Sequence, residues 1–236
     1  MLKKLDAKNM FLSNLGWLKS RFHFSFAEYR NFNNMNFGVL RVLNDDLVDA
    51  REGFGTHPHK NMEIISYVVN GELTHQDSMG NKETLTRGEV QYMSAGTGIT
   101  HSEMNEADEK LRFLQIWIIP PKENTKPIYG SHRFKEEERT NKLLNIVSSQ
   151  SGDAVIKVHQ DIKIFVSQLD SNKEINVNIP KDRQIYFIQI EGSSSINGVE
   201  LNEADAIEIT EESKFNVKAL CQSHFLFIEM PIEKER

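Results

Sequence analysis

The sequence predicts an all-β protein built as two antiparallel β-barrels or sandwiches in tandem, with little helix. Three observations carry this. Short runs rich in Val, Ile, Thr, Phe and Tyr recur along the chain, bounded by Gly, Asn or Asp turn signals. The same texture appears twice, on either side of a charged, proline-containing stretch. Two pairs of metal-type donors, His57 with His59 and His101 with Glu103, sit at i and i+2, the spacing that puts both side chains on one face of a strand.

The first half supplies candidate strands at 24–28, 37–43, 63–70, 72–76, 82–86, 90–93 and 111–119. Between residues 63 and 93 the runs EIISYVV, ELTHQD, ETLT and VQYM read as a meander, with hairpins at Asn70-Gly71 and Gly80-Asn81. This meander carries the chain from one donor pair to the other. Residues 120–140, PPKENTKP and then KEEERTNK, read as a solvated linker or short helix. The second half continues with AVIKVHQD, IKIFVSQL, INVNI, RQIYFIQI, AIEIT, FNVKA and HFLFIEM, turning at 170–172, Asn197-Gly198 and 203–205. The expected domains are residues 1–130, which hold the donors, and 145–236, where no His-x-His occurs. His132, His159 and His224 stand alone and read as ordinary surface or core histidines.

Composition bounds the function. The 236-residue chain is 39% hydrophobic and 26% charged, with a formal net charge of -6. A sizeable core is expected, and attraction to a nucleic-acid backbone is not. No apolar run reaches the roughly 18 residues of a membrane span. The basic start, MLKKLDAKNM, is not followed by the apolar segment of a signal peptide. The single cysteine, Cys221, rules out an intrachain disulfide and reads as a small buried thiol in a late strand. A cytoplasmic location is the expectation.

Three imidazoles and a carboxylate meeting at one point suit a divalent ion from iron to zinc and leave positions open for a substrate or dioxygen. Strand parity leaves a second carboxylate in play. Glu63 lies four residues beyond His59 and would share its face in an unbulged strand. Phe22, Phe24 and Phe26, alternating along RFHFSF, can put three rings on one strand face, with Phe54 and Met93 beside the donor motifs; most of them read as barrel core, with an apolar substrate pocket as the alternative use. Phe54 is the ring expected at a pocket rim. Gly53, Gly55, Gly96 and Gly98 read as permitting tight turns and close backbone approach.

The segments GWLKSRFHFSF (16–26), LRVLNDD (40–46), GFGTHPHKNMEIISYVVNGELTHQDSMGN (53–81), SAGTGITHSEMN (94–105) and LQIWIIPP (114–121) resemble the pirin family of the cupin superfamily. KVHQD (157–161) extends the likeness into the second half. The resemblance implies a bicupin of two jelly-roll-like barrels. The first would hold one divalent transition metal (iron, nickel, copper, cobalt or zinc), and the second would lack metal ligands. It assigns the ligands to His57, His59, His101 and Glu103, and casts Glu63 as an acceptor that orients a ligand imidazole. Bacterial pirins with this set are similar to quercetin 2,3-dioxygenases. The implied activity is oxidative ring opening of a flavonol by dioxygen, with Glu103 taking the substrate hydroxyl proton. The other implied class is a non-enzymatic, redox-sensing metal protein that acts through a protein partner, such as a nuclear transcription cofactor. Dispersed basic residues and the acidic net charge favour the enzyme.

Overall fold

A computed structural model of the chain describes residues 1–232. Its first strands in chain order are β1 (Leu2–Leu5), β2 (Phe11–Asn14), β3 (Leu18–Phe22), β4 (Leu40–Val48), β5 (Gly53–His59), β6 (Glu63–Asn70), β7 (Leu73–Asp77), β8 (Lys82–Leu85), β9 (Glu89–Ser94), β10 (Ile99–Met104), β11 (Leu111–Ile118) and β12 (Ile128–Arg133). After the single-turn helix α1 (Glu136–Arg139) come β13 (Leu144–Ser149), β14 (Ile156–Val158), β15 (Lys163–Leu169), β16 (Glu174–Asn178), β17 (Arg183–Glu191), β18 (Ser194–Ile196), β19 (Val199–Leu201), β20 (Ala206–Ile209), β21 (Lys214–Ala219) and β22 (Ser223–Pro231).

The chain divides into two compact units. One comprises Phe11–Phe134 with Val158–Gln160, and the other comprises Met1–Met10, Lys135–Lys157 and the chain from Asp161 onward. Residues 1–10, placed with the first domain on sequence grounds, thus lie in the second unit, because β1 pairs antiparallel with β20, Leu2 opposite Ile209.

The first unit is a sandwich of a seven-stranded sheet, order β12-β9-β6-β11-β4-β3-β2, and a four-stranded sheet, order β5-β10-β7-β8. These are open sheets rather than closed barrels. Strand β6 is a central strand of the larger sheet, buried from Glu63 to Val69, which explains why it is mostly apolar on both faces, with Ser66 the exception between Ile65 and Tyr67. Val48, Val68, Leu73, Leu85, Leu111 and Phe113 form a buried cluster, with Trp17 and Phe54 packed against it. Truncating a ring such as Phe113 to Ala costs about 3–5 kcal/mol in such a setting.

The second unit repeats the plan, with sheets ordered β1-β20-β17-β22-β15-β13-β14 and β16-β21-β18-β19. Its interior is filled by phenylalanine rings: Phe165 and Phe187 stack at 4.9 Å on Phe227 and Phe225 respectively, and Phe215 meets Phe227 edge-on at 5.4 Å.

Several expectations are corrected. Residues 24–28 contribute only an isolated bridge, Phe26 to Tyr29. The strand lies earlier, at β3, because the Ser25 hydroxyl bonds to the Asn31 backbone and closes a loop in place of ladder pairing. The strand expected at 37–43 starts at Leu40 and runs to Val48. The polar stretch after Pro120 contains β12, which completes the edge of the larger sheet against β9. Cys221 is exposed in the bend before β22, not buried in a strand. Among the described residues no helix is long and apolar enough to cross a membrane.

Candidate metal centre

The smaller sheet of the first unit builds the site. In its register His101 on β10 lies opposite His57 on β5 and opposite Asp77 on β7, while Ile99 lies opposite His59. Side chains two apart share a face, so this pairing gathers both donor motifs on the inner side of the sheet. Glu103 lies opposite Phe54 on β5 and His75 on β7. The β10–β7 ladder runs in regular register, and a bulge in β5, where three steps from His57 to Phe54 answer two on β10, takes up the extra residue. Only glycine fits beside it: at Gly53 a Cβ would lie 2.5 Å from the Glu103 carbonyl oxygen.

The ligand atoms of His57, His59 and His101 all lie within 4.8 Å of one another. Their ring centroids are 4.5–4.9 Å apart. A second group, His75, His101 and Glu103, meets the same 4.8 Å limit. The two groups share His101.

Hydrogen bonds assign the imidazole tautomers. His57 Nδ1–H donates to the Gly55 carbonyl at 2.7 Å, which leaves Nε2 as the lone-pair nitrogen. His75 Nε2–H donates to Asp77 Oδ2 at 3.3 Å. Its Nδ1 can then only accept, so the 3.5 Å contact with His101 Nδ1 has His101 as donor. His101 Nε2 is left as a lone pair, buried and without a hydrogen-bond partner. Burial first, then the neighbouring imidazoles, lowers the pKa of His59 to about 4 and of His101 to about 3. Neutral imidazole is the metal-binding form.

Three neutral donors hold Glu103, which is 2% exposed. Ser66 Oγ at 2.8 Å and Gln91 Nε2 at 2.5 Å donate to its Oε1, and Gln115 Nε2 at 2.6 Å donates to Oε2. Asp77 is tied by Asn81, Met79 and His75. Burial pushes its carboxyl up, but these hydrogen bonds outweigh it and hold the pKa below the usual value.

Over the histidines lies a cavity of about 270 Å³ whose wall surface is mainly apolar, supplied among others by Leu18, Phe22, Phe26, Phe54 and Trp117. His57, His59 and Glu103 form part of its wall. Trp117 meets His59 edge-on at 4.9 Å, and Phe54 meets Trp17 in the same way at 5.3 Å. Asp46, 2% exposed, also lines it and accepts from the Ser20 hydroxyl. Burial pushes the Asp46 carboxyl up to about 7, with Ser20 opposing and the Asp45 and Glu103 charges adding.

Three sequence candidates lie elsewhere. Glu63 neither joins the imidazole cluster nor lines the cavity. Its Oε1 accepts from Tyr92 Oη at 2.7 Å, the His159 backbone N–H at 2.6 Å and His159 Nδ1 at 3.0 Å, and its Oε2 accepts from the Gln160 N–H at 3.0 Å. It pins residues 158–160 to the first unit instead of orienting a ligand. Phe24 is core, 1% exposed, and Met93 packs in a buried cluster with Ile64, Ala95 and Ile99. Sequence reasoning missed His75 and Asp77. Their i, i+2 spacing within the meander, the same as that of the two donor pairs, was the available signal.

Fold and site together define a tandem cupin-type protein with a histidine-rich centre in its first unit. Comparisons narrow the class. A model of the pirin family matches residues 5–118, and one described as the quercetinase C-terminal cupin domain matches residues 145–230. The chain is 41% identical over 220 residues to the quercetin 2,3-dioxygenase of Escherichia coli strain K12, covering 93% of this chain and 94% of that one. It is 40% identical over 215 residues to a pirin-like protein of Caulobacter vibrioides, covering 91% and 93%. The crystal structure of the E. coli bacterial pirin YhhW in complex with nickel(II) superposes with a TM-score of 0.93 at 39% identity, covering 99% of this chain and 100% of that one. The chain belongs to the pirin family.

Proposed function

We propose that the chain is a metal-dependent dioxygenase that opens the ring of a flavonol such as quercetin. The observation that carries this reading is the buried, unpartnered Nε2 of His101, set among two further imidazoles beneath an apolar cavity. That donor set fits a divalent transition ion. His57, His59 and His101 would hold it, with Glu103 as the carboxylate ligand. The E. coli relatives, one named quercetin 2,3-dioxygenase and one solved with nickel(II), support the same reading.

When bound, the ion supplies Lewis-acid polarisation of the substrate oxygens. The chain's own groups do the rest. Gly55 and the His75–Asp77 pair keep the tautomers of His57 and His101 that leave Nε2 facing the site. Phe22, Phe26, Phe54 and Trp117 exclude water and accept a flat ring system. Glu103, oriented by Ser66, Gln91 and Gln115, takes the proton of the substrate 3-hydroxyl on a carboxylate oxygen. The reaction then consumes one dioxygen, releases the carbon bearing that oxygen as carbon monoxide and leaves a ring-opened depside that retains both dioxygen atoms.

The test is metal analysis of freshly isolated protein, followed by oxygen uptake with quercetin in the iron, nickel, copper and cobalt forms. One ion per chain and uptake abolished by chelation and by His59→Ala are expected. Metal-replete protein that neither binds a flavonol nor consumes oxygen in any form overturns the proposal.

A further inference from the structure

The metal chemistry proposed above gives no role to Asn44 and Asp46 on the cavity wall. Side chains alternate along β4, so Asn44 and Asp46 point to the same side, and both line the cavity. In register, Asp46 lies opposite Ser20 on β3, and Asn44 lies opposite Phe22 on β3 and Gln115 on β11. Ser20 and Gln115 line the cavity as well. A patch of polar groups therefore stands on the larger sheet, in addition to His57, His59 and Glu103 of the same cavity wall.

The patch is incompletely satisfied. Asn44 is 3% exposed and its Oδ1 is buried with no hydrogen-bond partner. Ser20 engages Asp46 through Oδ1. Trp117, two residues beyond Gln115 on β11, also lines the cavity, and its Nε1 is a buried donor without a partner. A buried acceptor and a buried donor left open on one chamber wall represent a standing desolvation cost, of the kind a ligand of matching polarity removes.

We infer that Asn44 and Asp46, with Ser20 holding Asp46 in place, form a hydroxyl-recognising subsite that accepts hydrogen bonds from ring hydroxyls of the ligand other than the one on its chelating edge. The class of ligand is a polyhydroxylated aromatic. This rests on the reading of the cavity as a flavonol pocket and narrows it. A site built around such acceptors discriminates strongly against an analogue that lacks the hydroxyls, because its buried acceptors then stay unpaired.

The experiment measures binding to the nickel-loaded full chain under anaerobic conditions, with two probes sharing one chelating edge: 3-hydroxyflavone, with no other hydroxyl, and quercetin. Quercetin is expected to bind at least about tenfold more tightly. Asn44→Leu and, separately, Asp46→Ala should shrink that preference to about threefold or less while leaving 3-hydroxyflavone affinity and nickel content unchanged. Two independent variants guard against one that fails to fold. Equal binding of the two probes by the wild type, or a preference intact in both variants, overturns the subsite while leaving the flavonol reading standing. Binding of neither probe overturns both.

Discussion

His101 and His75 meet across adjacent strands with their Nδ1 atoms 3.5 Å apart, and His75 passes the interaction on to Asp77 at 3.3 Å. This chain fixes which nitrogen of His101 faces the site. It also sets His75 against the ring of Tyr129, stacked at 4.6 Å.

His75→Phe keeps an aromatic ring on Tyr129 and removes both nitrogens. Metal affinity should fall by about 10–100-fold, the usual cost of losing the group that orients a ligand imidazole. Chelator competition against nickel measures it. Unchanged affinity would show that His101 needs no such partner.

Glu63→Ala strips the acceptor from Tyr92, His159 and Gln160. Unfolding free energy should drop by about 3–5 kcal/mol, since a buried network loses its centre. Nickel stoichiometry should stay at the wild-type level. Urea melts and metal analysis of one preparation read the two effects separately, and a loss of metal at full stability would return Glu63 to the ligand set.

His23 is buried and its pKa is pushed down to about 4, chiefly by burial, with Asp45 opposing and Arg21 adding. Unfolded, the imidazole takes up its proton near the ordinary 6.5. Between these values the unfolded chain binds more protons, so stability falls as pH drops from about 6.5 to about 4, by about 3 kcal/mol from this group. Urea midpoints at pH 7 and pH 5 should differ less in His23→Gln than in the wild type. An identical slope would remove His23 as the cause.

Trp117 stands edge-on to His59 at 4.9 Å, which makes it an optical reporter. Nickel titration should quench tryptophan emission in the wild type and much less in Trp117→Phe, where only Trp17 remains. Equal quenching in both would place the ion away from His59.

Much of this was readable from the chain. The i, i+2 spacing of His57 with His59 and of His101 with Glu103 works because strand side chains alternate strictly, and Asn70-Gly71 marks its hairpin because Gly71 adopts a φ of +83° there. What was hidden depends on partners distant in sequence or on broken periodicity. Parity left Glu63 in play beside Glu103, yet three of its four hydrogen bonds come from residues 96 and 97 positions later. Phe22, Phe24 and Phe26 looked like one face, but β3 ends at Phe22 and the loop sends Phe24 into the core. His75 carried no second histidine beside it, so its role appears only when β7 and β10 are paired.

The segment held by Glu63 also governs how the molecule can be made. A ribosome that has released the chain as far as β12 has delivered every cavity residue, yet Glu63 still lacks three of its four hydrogen bonds, because His159 and Gln160 are not yet synthesised. β1 waits longer still, since its partner β20 begins at Ala206. Each unit draws a finishing piece from the other end of the message. A gene fragment cut between them would encode neither one whole, which constrains evolution to pass the two halves on together.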